Sequence, residues 1–125
     1  MSYVALATTR FDDMTRFYGQ DLGFTTVRAW DRPDARGCVF DLHGLHLEVF
    51  DADREKRPLD LEPPADRVHL VVETDDVDAA HGRLAIEAPA PEDTSWGSRV
   101  FRLRDPDGVA VTFLQWKDPA GPPEG

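Results

Sequence analysis

One cysteine, Cys38, is all that the sequence offers to thiol or disulfide chemistry. A lone cysteine closes no intramolecular disulfide, which suits a reducing compartment, and its place inside an apolar stretch assigns it to the core. Positive charge is also scarce, with 14 Lys and Arg set against 24 Asp and Glu for a formal net charge of -10. Such a field repels phosphate backbones and anionic lipid, so nucleic acid and membrane surfaces are poor partners and a neutral or cationic one is favoured. No apolar run approaches the roughly 18 residues that a spanning helix needs, and nothing has the pattern of a signal peptide. The expectation is a soluble, cytoplasmic protein. A glycine-rich phosphate loop is missing, and no nucleophile beside a base supports hydrolysis.

What is present is strand, turn and strand, most plainly from Trp96 to Trp116. Val100, Phe101 and Leu103 are strand formers, Asp105-Pro106-Asp107-Gly108 carries turn chemistry, and Val109 to Trp116 runs on as an apolar strand. The same pattern occurs earlier: Val39-Phe40-Asp41-Leu42, then His43-Gly44, then Leu45 to Phe50. Upstream of each hairpin lies a matching pair, Tyr3 to Thr8 before Asp12-Asp13 and His69 to Thr74 before Asp75-Asp76, at an offset of about 66 residues. The chain of 125 residues therefore reads as one domain made of a duplicated unit. The first module spans 3–50, a charged and proline-rich linker 51–66, the second module 67–116 and a disordered tail 117–125.

Within each module the order is strand, helix and three strands. Phe11, Met14, Phe17, Tyr18 and Leu22 recur at helical spacing and stop at Gly23, and Val77, Ala80, His81 and Leu84 form the second helix behind the Asp75-Asp76 cap. Strands are expected at Phe24 to Trp30, Arg36 to Leu42 and Leu45 to Phe50. The segment Ile86 to Pro91 is expected as their counterpart in the second module, held to an edge by Pro89 and Pro91. This is an α+β class: two tandem βαβββ modules whose curved mixed sheets surround a cavity, with the helices outside.

Strand parity then separates two faces. Leu45, Leu47 and Val49 oppose His46, Glu48 and Phe50, and Val109, Val111 and Phe113 oppose Ala110, Thr112 and Leu114. The aliphatic faces belong under the helices. On the opposite faces four equivalent positions are expected to look into one cavity: Tyr3, Glu48, His69 and Thr112. Trp30, Phe50 and Trp96 supply aromatic surface that, with Glu48, suits a planar or cationic organic molecule.

The segments Arg16-Phe17-Tyr18 through Asp21-Leu22-Gly23-Phe24 and Phe101 through Gly108, together with the duplication, resemble the vicinal oxygen chelate superfamily. That superfamily includes glyoxalase I, extradiol dioxygenases and bleomycin-resistance proteins, and the resemblance covers Tyr3 to Trp116. It implies a homodimer whose interface builds the pockets, and in metal-using members a ligand at each of the four cavity positions. Glu48 and His69 match that ligand pattern, whereas Tyr3 and Thr112 are weak ligands for a divalent ion. The expectation is a metal-independent protein that binds an antibiotic or natural product, with Tyr3, Trp30, His46, Glu48, Phe50, His69, Trp96 and Thr112 at the ligand and no cofactor. The alternative is a glyoxalase- or dioxygenase-like enzyme with a divalent metal (Zn, Ni, Mn or Fe) on His46, Glu48 and His69, or a cofactorless one using Glu48 and His69 as acid and base.

Overall fold

The computed structural model describes residues 2–122. Of the tail expected at 117–125, residues 123–125 lie outside the described residues, and Asp118 to Gly121 form a turn closed by Gly121 N–H on the Asp118 carbonyl at 2.9 Å. In the first half, β1 (Tyr3–Thr8) leads to α1 (Phe11–Arg16), which runs on as a π-helical turn over Phe17–Asp21. Three strands follow: β2 (Thr25–Arg32), β3 (Ala35–Leu42) and β4 (Leu45–Asp51). The second half repeats the order with β5 (His69–Glu73), α2 (Val77–Gly82), β6 (Glu92–Asp93), β7 (Ser98–Arg104) and β8 (Ala110–Trp116). Between the halves the chain makes only two short 3-10 turns, Ala52–Arg54 and Ala65–Arg67.

Each half forms its own four-stranded mixed sheet, ordered β1-β4-β3-β2 and β5-β8-β7-β6. In both, the first and last strands pair in parallel and the others antiparallel. The two βαβββ modules and the α+β class follow as the periodicity predicts. Turn residues account for the tight returns. His43 and Gly44 between β3 and β4 both adopt positive φ (54° and 105°), which the right-handed twist of a two-residue hairpin demands and glycine meets without strain. Between β7 and β8, Asp105 Oδ1 accepts from the N–H groups of Asp107 and Val109 at 2.9 and 3.0 Å. At the start of α2, Asp76 Oδ1 accepts from Ala79 N–H at 3.0 Å, a side-chain cap that α1 lacks.

One expected strand is misplaced. Ile86 to Pro91 forms no strand, and β6 is the two-residue piece just beyond it, pairing Glu92 with Val100 and Asp93 with Arg99. Pro89 and Pro91 have no N–H to give a ladder, so pairing starts only after the second proline. The first helix keeps the extent its apolar repeat predicts, but after Arg16 it widens into the π turn, closed by Leu22 N–H on the Phe17 carbonyl at 2.9 Å.

The aliphatic faces separate as parity requires. On β4, Leu47 and Val49 are fully buried while His46, Glu48 and Phe50 are half-buried on the other face. α1 lies against β4, and α2 against β7 and β8. The helix-side residues of both modules then join one continuous apolar cluster, with Met14 and Tyr18 of the first module packed together with Val72, Val77 and Phe113 of the second. Phe24 stacks parallel on Phe113 at 5.8 Å between ring centres, carrying the aromatic packing across the module boundary. No helix among the described residues is long and apolar enough to cross a membrane.

Polar ties cross the same boundary. The Tyr18 hydroxyl, fully buried, donates to Asp105 Oδ2 at 2.7 Å, and Asp105 is itself 4 % exposed. His43 Nδ1–H donates to the Glu73 carbonyl at 2.9 Å, and Arg10 to the Pro106 carbonyl at 2.7 Å. Burial, and after it the charge of Asp105, holds the Tyr18 phenol far above its ordinary range. Burial also pushes the Asp105 carboxyl up, against the opposing pull of the Tyr18 hydroxyl and two backbone N–H donors. Replacing Tyr18 by Phe is expected to lower stability by about 1.5–3 kcal/mol, the worth of a hydrogen bond to a charged acceptor, in urea unfolding at neutral pH. Because the folded phenol keeps its proton where the unfolded one loses it, wild-type stability should fall as the pH rises above about 10. The Phe variant should lose less over that interval; identical alkaline profiles would show that Tyr18 is not the group responsible.

Candidate functional site

The faces turned away from the helices carry most of the expected site residues, and register sets the neighbours of each. Across the first sheet Ala5, Glu48, Val39 and Arg28 form one row, and Ala7, Phe50, Gly37 and Trp30 the next. Trp30 reaches this face through an irregularity in β2. Thr26 pairs with Phe40 on the helix side, but the next residue in register, opposite Val39, is Arg28 and not Val27. The extra residue reverses the facing of the rest of the strand, so Trp30 stands opposite Gly37 on the open face and not on the helix side.

Gly37 is the reason that the indole can lie there. A Cβ at Gly37 would come within 2.2 Å of Trp30 Cζ2, so the ring occupies the space that any other residue would fill. Above it, Trp30, Ala35, Arg36, Glu48, Phe50 and Glu55 line a shallow pocket of about 220 Å³. The Arg28 guanidinium sits over the Trp30 ring at 5.2 Å from its centre, which shows that this indole accepts a cation on one face. Of the eight expected ligand residues, Trp30, Glu48 and Phe50 are brought together here. Parity reveals Glu48 and Phe50; Gly37 carries its own signal as a glycine in the interior of a strand.

The pocket that holds Glu48 contains none of Tyr3, His69 and Thr112. Tyr3 pairs with His46 at the start of β1 and is 57 % exposed. His69 and Thr112 lie on the open face of the second sheet, where Val71, Thr112 and Arg102 form one row and His69, Ala110 and Arg104 the adjacent one. Thr112 Oγ1 accepts from Arg102 Nε at 2.9 Å, and His69 Nε2–H donates to the Asp66 carbonyl at 2.9 Å. Ala110 and Thr112, like Leu114 further along the same face, are buried. Arg102 was not among the expected residues, although it shares the strand face of Val100 and Arg104.

These partners test the donor set for a metal ion. A guanidinium bonded to Thr112 fixes a positive charge at one of the four cavity positions, and a divalent cation beside it would be repelled by several kcal/mol at a surface-like dielectric constant of about 20. Among the described residues, no three His, Cys, Asp or Glu side chains stand together as a metal cluster within one chain. His46, Glu48 and His69 are accordingly not gathered as one such group within the chain.

Trp96 is half exposed, with its ring edge-on to Trp116 at 5.6 Å, on the loop that Thr94 ties to Ser98. Cys38 is buried in β3, and burial pushes its thiol up, as suits a core residue. A larger concavity, about 950 Å³, lies elsewhere, between the start of α2, the end of β8 and the turn after it. Glu73, Asp75, Asp76 and Asp118 set four carboxylates around that trough, and it lacks the convergent apolar walls of a ligand site, so the aromatic pocket at Glu48 is the stronger candidate.

The family model described as Glyoxalase/Bleomycin resistance protein/Dioxygenase superfamily matches residues 1–113. Among solved structures, a glyoxalase/bleomycin resistance protein/dioxygenase from Nocardioides is 26 % identical with a TM-score of 0.72, covering 100 % of this chain and 89 % of that one. TnmS3, an antibiotic binding protein from Streptomyces sp. CB03234, is 23 % identical with a TM-score of 0.59 over 93 % of this chain and 97 % of its own. TioX from Micromonospora sp. ML1 is 18 % identical with a TM-score of 0.69 over 93 % and 99 %. No curated protein matches the chain.

A Gly37→Ala substitution should drive the Trp30 ring off the open face while leaving the strands in place. The expected readout is an altered indole resonance and fluorescence for Trp30, identified with Trp30→Phe, at unchanged far-UV circular dichroism. An unmoved Trp30 signal would show that the ring does not rest on Gly37.

Proposed function

The chain belongs to the Glyoxalase/Bleomycin resistance protein/Dioxygenase superfamily, and we propose that within it the protein is a metal-independent, cytoplasmic small-molecule binding protein of the bleomycin-resistance type. The observation that carries the reading is the pocket on the first module, which Trp30 and Phe50 line together with Glu48 of the adjacent row. The two rings and the carboxylates of Glu48 and Glu55, with Arg36 beside them, form a site for a planar or cationic natural product, held by stacking and charge contact. The guanidinium at Thr112 argues against a divalent ion as the organising charge. TnmS3, which shares the fold, is an antibiotic binding protein.

At about 220 Å³ the pocket is smaller than the ~300–1,000 Å³ usual for a drug-sized ligand. We read it as one wall of a chamber completed by a second copy of the chain, in a homodimer. Tyr3, 57 % exposed at the start of β1, provides surface for such an assembly.

Benzamidine, a planar aromatic cation, is a suitable first probe. It should quench tryptophan fluorescence saturably, and Glu48→Gln should weaken its binding about tenfold, the equivalent of ~1.4 kcal/mol. Light scattering at micromolar concentration should return a dimer, and elemental analysis far less than one metal per chain. A near-stoichiometric metal that disappears in Glu48→Ala and in His69→Ala would overturn the binding-protein reading in favour of the enzyme.

A further inference from the structure

We propose that the open face of the second module is a carboxylate-binding site, built by Arg102, Arg104 and His69 and occupied in the free chain by the protein's own Asp66. It lies on a different sheet from the Glu48 pocket and stands independently of the reading of that pocket.

Register places the three basic residues on one face. His69 and Arg104 flank Ala110 in one row, and Arg102 stands beside Thr112 in the next. Ala110 and Thr112 are small and buried, and they leave the two exposed arginines and His69 as the larger side chains of these two rows beside Val71. Arg102 is held in place by its Nε on Thr112, and among the described residues neither of its terminal nitrogens has a partner. Arg104 anchors one nitrogen on the Gly108 carbonyl at 2.9 Å and places the other 2.6 Å from Asp66 Oδ1.

Asp66 comes to this face from the linker and not from the sheet. It sits on the 3-10 turn Ala65–Arg67, entered through Ala65 at a φ of 52°, a conformation that residues with a Cβ avoid. His69 holds the turn by donating to the Asp66 carbonyl. The Asp66 side chain is nonetheless 79 % exposed, so it rests on the guanidinium group without being enclosed. The hydrogen bond from Arg104 and its charge, followed by smaller contributions from His69 and Arg102, keep the Asp66 carboxyl below the ordinary range. Arg104 holds the Asp66 carboxylate directly, His69 holds its backbone carbonyl, and Arg102 lies on the same strand face as Arg104.

That carboxylate shows what the face is shaped to receive. A planar guanidinium fork matches a carboxylate in two parallel hydrogen bonds, and the spare nitrogens of Arg102 offer them. Val71, 46 % exposed in the same row as Arg102, gives an apolar neighbour. The ligand is thus an organic carboxylate with a hydrocarbon or aromatic body. As a tethered competitor Asp66 has a high effective concentration, so ligand must displace it.

The test is titration of the isotope-labelled full chain with benzoate, followed by nitrogen–proton correlation of the backbone and arginine Nε groups. Benzoate should move Arg102 Nε and the β7 and β8 amides saturably, whereas neutral benzamide should not. Asp66→Asn, which removes the competitor from an exposed position, should tighten benzoate by about fivefold or more, and Arg102→Gln should weaken it about tenfold. Inorganic phosphate should displace benzoate only at far higher concentration. Glu48→Gln should leave the titration unchanged, so failure here and failure of the Glu48 pocket are told apart. Equal response to benzamide, an Asp66→Asn variant that binds no more tightly, or phosphate as effective as benzoate would each overturn the assignment.

Discussion

The aliphatic face of each sheet is larger than the helix laid against it, and the architecture follows from that shortage of cover. α2 is six residues, about 9 Å long at 1.5 Å per residue, and α1 with its π turn eleven, at most about 16 Å, whereas a seven-residue strand such as β4 or β8 runs about 23 Å. Neither module can bury its apolar face alone. The two faces therefore share one core, and the stacked Phe24 and Phe113 rings and the Tyr18 to Asp105 hydrogen bond lie across that junction. Since the helix sides are consumed in this way, the opposite faces are left open.

Those open faces differ in charge. On the first module Glu48 stands among aromatic rings, while on the second Arg102 and Arg104 lie over small residues. A chain with a net charge of -10 thus gathers positive groups on one sheet face, where the linker returns a carboxylate to meet them. Duplication explains the matched backbones, and divergence of the side chains gives the halves distinct chemistry: Glu48 and Thr112 occupy corresponding places, one an acceptor and the other bound to a guanidinium group.

Much of this was legible in the sequence where the signal was local or periodic. The repeat gave the module order, and parity placed Leu47 and Val49 apart from His46, Glu48 and Phe50. What escaped depended on pairing between distant segments. The irregularity in β2 leaves no mark on hydrophobic alternation, yet it decides which side of the sheet Trp30 occupies. Pro89 and Pro91 mark an edge in the sequence, but that pairing waits until Glu92 is decided by the ladder with Val100 and Arg99. The Tyr18 to Asp105 bond joins residues 87 apart, and Arg102 acquires meaning only beside Thr112.

The shared core also separates two demands that compete in many proteins. Residues that hold the fold together, such as Leu47, Val49, Val72 and Val111, point one way, and those available to a ligand point the other. Exchanges at positions such as Tyr3, Glu48 and Val71 alter the chemistry of an exposed wall without opening a void in the interior, so their thermodynamic cost is small. The scaffold can therefore change what it recognises by single steps while remaining folded throughout. Gly37 is the exception among these wall positions, because the indole resting on it makes that site intolerant of even a methyl group.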